Sequence, residues 1–432
     1  MKAVILRGLM SVGMLLHNLP RPHPPSPGFT VKIPSRLSSK HGYFKLVFYV
    51  PDDYYTADEH RRWPVVINFH GGGFTLGTGT DDSRWARAIV ERAHAVMVSV
   101  EYRLAPRHPF SVGVEDGTDA VLYLAAHADE LRLDPHRIAL SGFSAGANFA
   151  LTIPFLLHDL NMEVGRRNLG PPPLTRQSSY ASSRSSSSES VPHELMVGGL
   201  SVKSTSTVNL PLKALTPTPL ETQQELPDFT LRAIVSFYPP TDFRTSRQEK
   251  RATNPQPEKN LPPVLTNLFD ESYFSLGQQQ CEIDFSDPYL SPAAADDELI
   301  RAAYPESIIL YTCEYDMLNA EGVDFGMRLA SPHIGKMVRG GLIRGVPHAF
   351  DKKPNPISFP KDADRCYNEA CAELNAAFGR RESIESKHQL DLEATVDRFQ
   401  EETEDSDLGE GSSSSGGSLT KLESHHDGVT NL

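Results

Sequence analysis

The stretch Arg137 to Phe149, RIALSGFSAGANF, restricts what this chain can fold into more than any other. Ile138, Ala139 and Leu140 make a short apolar run suited to a buried strand, and it passes directly into Gly142-Phe143-Ser144-Ala145-Gly146. From Ala147 to Leu157 the pattern turns helical, with Pro154 as a candidate bend. A serine carried on so tight a strand-turn-helix junction sits in a strained backbone conformation, and side chains at 142 and 146 would collide with the neighbouring strand and helix. Ser144 would then stand at the carboxyl edge of a parallel sheet, with the amide of Ala145 aimed at the reacting centre. A lone G-x-S-x-G also occurs in ordinary turns, so the flanking context and the partners found elsewhere carry the reading.

Strand and helix alternate on both sides of this junction. Tyr43 to Val50 reads as an edge strand, Pro64 to Phe69 as a buried strand, Ser83 to His94 as a helix, Ala95 to Glu101 as a strand and Val114 to His127 as a helix. Asp134-Pro135 marks the turn before the Ser144 strand. Later come strands at Leu231 to Phe237, Ser307 to Thr312 and Met337 to Ile343, with helices at Asn319 to Leu329 and Asp362 to Phe378. Such alternation predicts a mostly parallel sheet covered on both faces. Three glycines follow the Pro64 strand in His70-Gly71-Gly72-Gly73-Phe74. Without side chains there, a developing oxyanion could reach bare backbone amides. Tyr102 and Arg103 read as braces of the next loop.

A serine hydroxyl needs a base, and the base needs a buried acceptor to fix its tautomer. On a sheet of this kind the nucleophile, acid and base follow one another along the chain, each on a loop after a strand. Beyond Ser144 the histidines are His158, His193, His333, His348, His388, His425 and His426. His158 closes the helix after the nucleophile, His193 lies in a serine-rich stretch, His333 precedes the last strand, and the final three lie in the tail. His348 alone follows that strand. For the acid, Glu314, Asp316 and Asp324 compete; Asp316 is best placed, a few residues past a strand, and a helix N-cap is the alternative role for it. Glu321 reads as a structural carboxylate, Asp242 and Asp287 as loop braces.

HGGGF, YRLAP, GFSAG, EYDML followed by Glu321-Gly322, and HAF, in this order and spacing, resemble the hormone-sensitive lipase family of α/β-hydrolases over roughly Leu6 to Phe378. The resemblance implies an α/β-hydrolase fold: a mostly parallel central sheet flanked by helices, with a small helical cap. It implies an esterase or lipase with Ser144 as nucleophile, His348 as base and then acid, Asp316 orienting it, and the amides of Gly72, Gly73 and Ala145 as the oxyanion hole. The expected substrate is a small-molecule ester with an apolar acyl group, and the chemistry requires no metal or organic cofactor. Three positions depart from the family pattern. Phe143 replaces a frequent acidic residue, Ala147 a glycine, and Met317 a proline. An amidase or formamidase could use the same apparatus. A non-catalytic ligand-binding protein is the third reading, against which the presence of His348 weighs.

The expected organisation follows. Residues 1–30 form an amino-terminal cap helix and Pro-rich linker, residues 31–165 and 229–379 the core with a cap segment at 241–289, residues 166–228 a disordered Ser/Pro-rich insertion, and residues 380–432 a disordered acidic tail. The tail carries 13 acidic and 5 basic side chains, so −8 of the formal charge of −13 sits there, and the body gives no reason to expect nucleic acid. Cys281, Cys313, Cys366 and Cys371 show neither metal-ligand nor disulfide spacing, which favours a reducing compartment, the cytoplasm. MKAVILRGLMSVGMLLHNLP is apolar with a basic start, but Arg7 interrupts it, no small-x-small cleavage site follows, and it is too short to span a bilayer. It reads as an amphipathic helix packed on the body or laid across a site mouth, with a targeting segment or membrane association as the alternative.

Overall fold

The computed structural model describes residues 2–168, 225–275, 283–353 and 355–379. In chain order the elements are α1 (Lys2–His17), β1 (Phe29–Ser35), β2 (Gly42–Tyr49), β3 (Trp63–Phe69), α2 (Ser83–Ala88), β4 (Val96–Glu101), α3 (Val112–Ala126), β5 (Leu133–Phe143), α4 (Ala145–Asn168), β6 (Leu231–Phe237), α5 (Arg247–Ala252), α6 (Pro263–Tyr273), α7 (Asp297–Ala303), β7 (Ser307–Tyr315), α8 (Asn319–Ala330), β8 (Met337–Pro347) and α9 (Lys361–Gly379). The strands form one sheet in the order β1-β2-β4-β3-β5-β6-β7-β8. β1 and β2 pair antiparallel, as do β2 and β4; every other neighbouring pair is parallel.

Two apolar layers sandwich the sheet because side chains alternate along each strand. On β3, Val65, Ile67 and Phe69 join the core on the α3 and α4 face, while Val66 points into the core beneath α9. A strand buried on both sides must be apolar throughout, and β3 has no exposed residue. α9 meets its layer with Ala363, Cys366, Tyr367, Ala370, Cys371, Leu374 and Phe378, the three-and-four spacing of one helical face. Cys313, Cys366 and Cys371 are buried free thiols; Cys281 lies outside the described residues.

Several expectations are corrected. Tyr43 to Val50 is not the edge strand, because β1 pairs outside it, Phe29 opposite Phe48 and Ser35 opposite Gly42. Lys32 and Pro34 mask β1 in the sequence. Both suit an edge, where only alternate positions face the core and a missing N–H can face solvent. With β1 added, the strand at Leu231, expected as the fifth, is the sixth. The helix after Ser144 does not end near His158 but continues through Pro154 to Asn168. The helix expected over Ser83 to His94 is α-helical only to Ala88 and then widens into a π-turn over Ile89–Ala93, closed by His94 in the left-handed region. Asp134 and Pro135 lie within β5. The larger part of the Ser/Pro-rich insertion (169–224) and the acidic tail (380–432) fall outside the described residues.

α1 lies on the body as an arginine-tied segment. Arg7 donates to the carbonyls of Thr75 and Ala105 at 2.8 Å each. Arg84 donates to the carbonyls of His17 at 3.0 Å and Pro20 at 2.8 Å. His17 itself is buried beside Phe359. Burial, with Lys352 and Arg84 nearby, lowers its pKa from 6.5 to about 4. Between those values the unfolded chain takes up a proton that the folded chain refuses, so stability falls as pH drops. From neutrality to pH 5 the loss from this one group is about 2 kcal/mol. Urea unfolding at the two pH values should show that loss shrink in His17→Phe; an unchanged difference would remove His17 from the account.

Candidate active site

β5 delivers Ser144 to its carboxyl end and α4 begins at the next residue. Ser144 has φ of 52°, a left-handed conformation unusual for a serine. The turn closes because Gly142 and Gly146 lack side chains: a Cβ on Gly142 would overlap the Gly146 carbonyl, and one on Gly146 would overlap the Phe69 carbonyl. The expected collisions at both glycines are therefore real, and both are with backbone, which cannot swing aside.

His348 follows β8 and meets Ser144 from the other side. Its Nε2 lies 2.9 Å from Ser144 Oγ and its Nδ1 lies 2.5 Å from Asp316 Oδ2. Asp316 follows β7, is 1% exposed, and takes the Leu318 amide on its other oxygen at 3.1 Å. It does not cap α8, whose N-cap position is Leu318. The rivals lie elsewhere: Glu314 accepts from the Gly345 amide, and Asp324 sits within α8. Ser144, Asp316 and His348 thus come together, each at the carboxyl end of a parallel strand.

The glycine loop leaves β3 with Gly72 at φ 115° and Gly73 at φ 57°. Among the described residues no backbone carbonyl accepts the amides of Gly72, Gly73 or Ala145. His70 stacks on Tyr102 with centroids 4.3 Å apart, and the Tyr102 hydroxyl donates to the His70 carbonyl at 2.8 Å. Arg103 binds Asp116 through Nε and Nη2 and reaches Ser35 Oγ at 2.6 Å. These contacts brace the loop and pin β1 beside it. Glu321 is buried against Lys250 and accepts from the Thr241 amide at 2.8 Å, holding the chain after β6. Asp242 pairs with Arg244, and Asp287 accepts the Tyr289 amide at 2.9 Å.

A cavity of about 170 Å³ opens beside Ser144, Gly72, Gly73 and His348. Met10 and Met14 of α1 line one side of it, and Leu261, Leu265 and Phe269, in and just before α6, another. Asp82 and Lys352 also border it. Lys352 forms ion pairs with Asp82 at 2.8 Å and Asp351 at 3.3 Å. Asp351 also accepts hydroxyls from Tyr238 and, at 2.6 Å, Tyr367. Asn68 donates to Asp82 at 2.7 Å and accepts from Ser141, which in turn accepts from the Trp85 indole. Burial opposes ionisation of Asp351, yet Lys352 and the two hydroxyls outweigh it and hold the carboxyl below its usual range. Burial likewise opposes a charged Lys352, but Asp82 and Asp351 raise its pKa. Asp81, also facing the cavity, has its carboxyl pushed up chiefly by burial.

The departure at position 143 finds its reason here. Phe143 is buried, stacks on Phe237 with centroids 4.6 Å apart, and lies under Lys352 Nζ at 3.9 Å from its ring centre. Sequence reasoning passed over Asp82, Tyr238, Asp351 and Lys352. The available signals were Asp351-Lys352 directly after HAF and the Asp81-Asp82 pair shortly after HGGGF. Among the described residues, no three His, Cys, Asp or Glu side chains gather as a metal site.

A strand-borne strained serine contacting a histidine that is itself held by a buried aspartate, on an eight-stranded, mostly parallel sheet, defines an α/β-hydrolase. A family profile described as alpha/beta hydrolase fold matches residues 66–194 and 213–352. The chain belongs to this family, the α/β-hydrolases similar to hormone-sensitive lipase. It is 41% identical over 114 residues to the carboxylesterase NlhH of Mycobacterium tuberculosis, a match covering 26% of this chain and 33% of that protein. It is 38% identical over 135 residues to an AB hydrolase superfamily protein of Schizosaccharomyces pombe, covering 31% of this chain and 35% of that one. The chain thus spans about a third of the length of these curated relatives. The hyperthermophilic esterase of the archaeon Pyrobaculum calidifontis shares the fold, with a TM-score of 0.58 at 22% identity over 87% of this chain and 93% of that one.

Proposed function

We propose that this protein hydrolyses carboxylic esters through an acyl-enzyme on Ser144. The observation that carries the reading is His348, which touches the Ser144 hydroxyl with one ring nitrogen and the Asp316 carboxylate with the other. The naming of similar proteins as carboxylesterases and esterases supports the same class of reaction. In the first step Ser144 Oγ attacks the ester carbonyl carbon while His348 Nε2 takes its proton, and Asp316 holds the Nδ1–H and stabilises the imidazolium. The amides of Gly72, Gly73 and Ala145 take the oxyanion, a term worth a few kcal/mol per donor. Collapse expels the alcohol, which receives its proton from His348. Water then attacks the acyl group, giving its proton to the same nitrogen, and the carboxylic acid leaves as Ser144 Oγ regains it. The cavity walls of Met10, Met14, Leu265 and Phe269 suit a neutral apolar acyl group.

Labelling with a fluorophosphonate, followed by peptide mapping and a panel of p-nitrophenyl esters and matched anilides, tests the proposal. Modification at Ser144 with faster turnover of apolar esters than of anilides is the expected result. An unlabelled Ser144 in folded protein would refute it, and preference for anilides would assign an amidase.

A further inference from the structure

α1 has two different faces. Ala3, Met14 and His17 are buried and Met10 turns toward the cavity, whereas Val4, Ile5, Leu9, Val12 and Leu15 point outward with 58 to 69% of their surface exposed. Positions 5, 9, 12 and 16, with 4 and 15 beside them, recur at three- and four-residue intervals, so they form one continuous stripe along the helix. Apolar exposure of this extent marks an interaction site. The stripe has company on the second wall of the cavity: Val264 of α6 is 75% exposed next to Leu265, which lines the interior. α1 is also held in place: its Arg7 donates to carbonyls of the body, and Arg84 of the body donates to the carbonyls of His17 at the helix end and of Pro20 just after it.

Charge decides what covers the stripe. The first 51 residues contain seven Lys and Arg and no Asp or Glu, although the whole chain carries −13. Lys2 and Arg21, at either end of α1, are exposed. A second copy seated face to face would set these cations against their own counterparts, whereas phosphate headgroups complement them. Among the described residues no helix is long and apolar enough to cross a membrane, which leaves α1 to lie in the plane of a lipid surface with its stripe among the acyl chains. We propose that this face of α1 seats the protein on an anionic phospholipid membrane. The seating does not depend on ester hydrolysis, and a binding measurement tests it separately.

The full-length protein is sedimented with vesicles of phosphatidylcholine alone or mixed with phosphatidylserine. Wild type should bind the mixed vesicles, more weakly as salt rises. The double variant Leu9→Asp/Val12→Asp should bind at least about tenfold more weakly, and Lys2→Glu/Arg21→Glu should lose the preference for phosphatidylserine. Turnover of a dissolved short-chain ester should stay within about twofold in both, since none of the four residues lines the cavity. Should the aspartate pair fail to fold, the charge pair still decides. Wild type that ignores mixed vesicles, variants that bind them as well as wild type does, or equal affinity for neutral vesicles would each overturn the proposal. A wild-type dimer dissolved by Leu9→Asp/Val12→Asp, without vesicle binding, would assign the face to a second copy instead.

Discussion

Replacing Ser144 by alanine is expected to lower kcat/KM for a dissolved p-nitrophenyl ester by on the order of 10⁵-fold, and replacing His348 by alanine by a similar factor. The two losses should not add. In the proposed mechanism His348 acts only through the proton of Ser144 Oγ, 2.9 Å away, so once the hydroxyl is gone the base has nothing to deprotonate. The double variant should retain the residual rate of either single one, which comes from substrate binding and the oxyanion amides. Asp316→Asn keeps the shape but offers His348 Nδ1 the wrong partner, and a fall of about 10⁴-fold is expected. Multiplying losses in the double variant would show that Ser144 and His348 serve separate steps, and the proposed mechanism would fail.

The second large effect concerns stability. Lys352→Met should destabilise the fold by roughly 3–5 kcal/mol, because breaking a buried ion cluster leaves charge behind without compensation. Asp82 and Asp351 are each 1% exposed, and Lys352 is the cation paired with both. Asp351 would keep its tyrosine hydroxyls and Asp82 its Asn68 amide, which sets the loss at the level of a broken cluster and not of two bare anions. Adding Asp82→Asn to Lys352→Met should recover part of the loss by removing one stranded charge. Denaturant unfolding reads both variants. A Lys352→Met protein as stable as wild type would mean that solvent reaches these carboxylates.

Much of the site was legible along the chain because its chemistry is tied to local structure. A nucleophile on a tight turn requires glycines at fixed offsets, and an acid and a base at strand ends follow apolar runs short enough to recognise. The same locality exposed β3, β6 and β7, which are apolar on both faces. β1 escaped notice because an edge strand keeps only alternate positions apolar and tolerates Pro34. The end of α4 escaped because the apolar run stops at Leu157 and polar residues (His158, Asp159, Asn161) follow, while the helix itself runs on to Asn168.

The order of Ser144, Asp316 and His348, the glycines around the nucleophile, and the alternation of strand and helix were determined by the sequence alone, since each depends on residues a few positions apart. Only the tertiary structure decided that Lys352 would neutralise Asp82 from the far end of the chain, that Phe143 would serve as packing beneath that lysine, and that Met10 and Met14 would line the cavity while Leu9 and Val12 face outward. Burial and charge pairing between distant segments depend on where the sheet order brings them, and strand order is set by the packing of the whole chain.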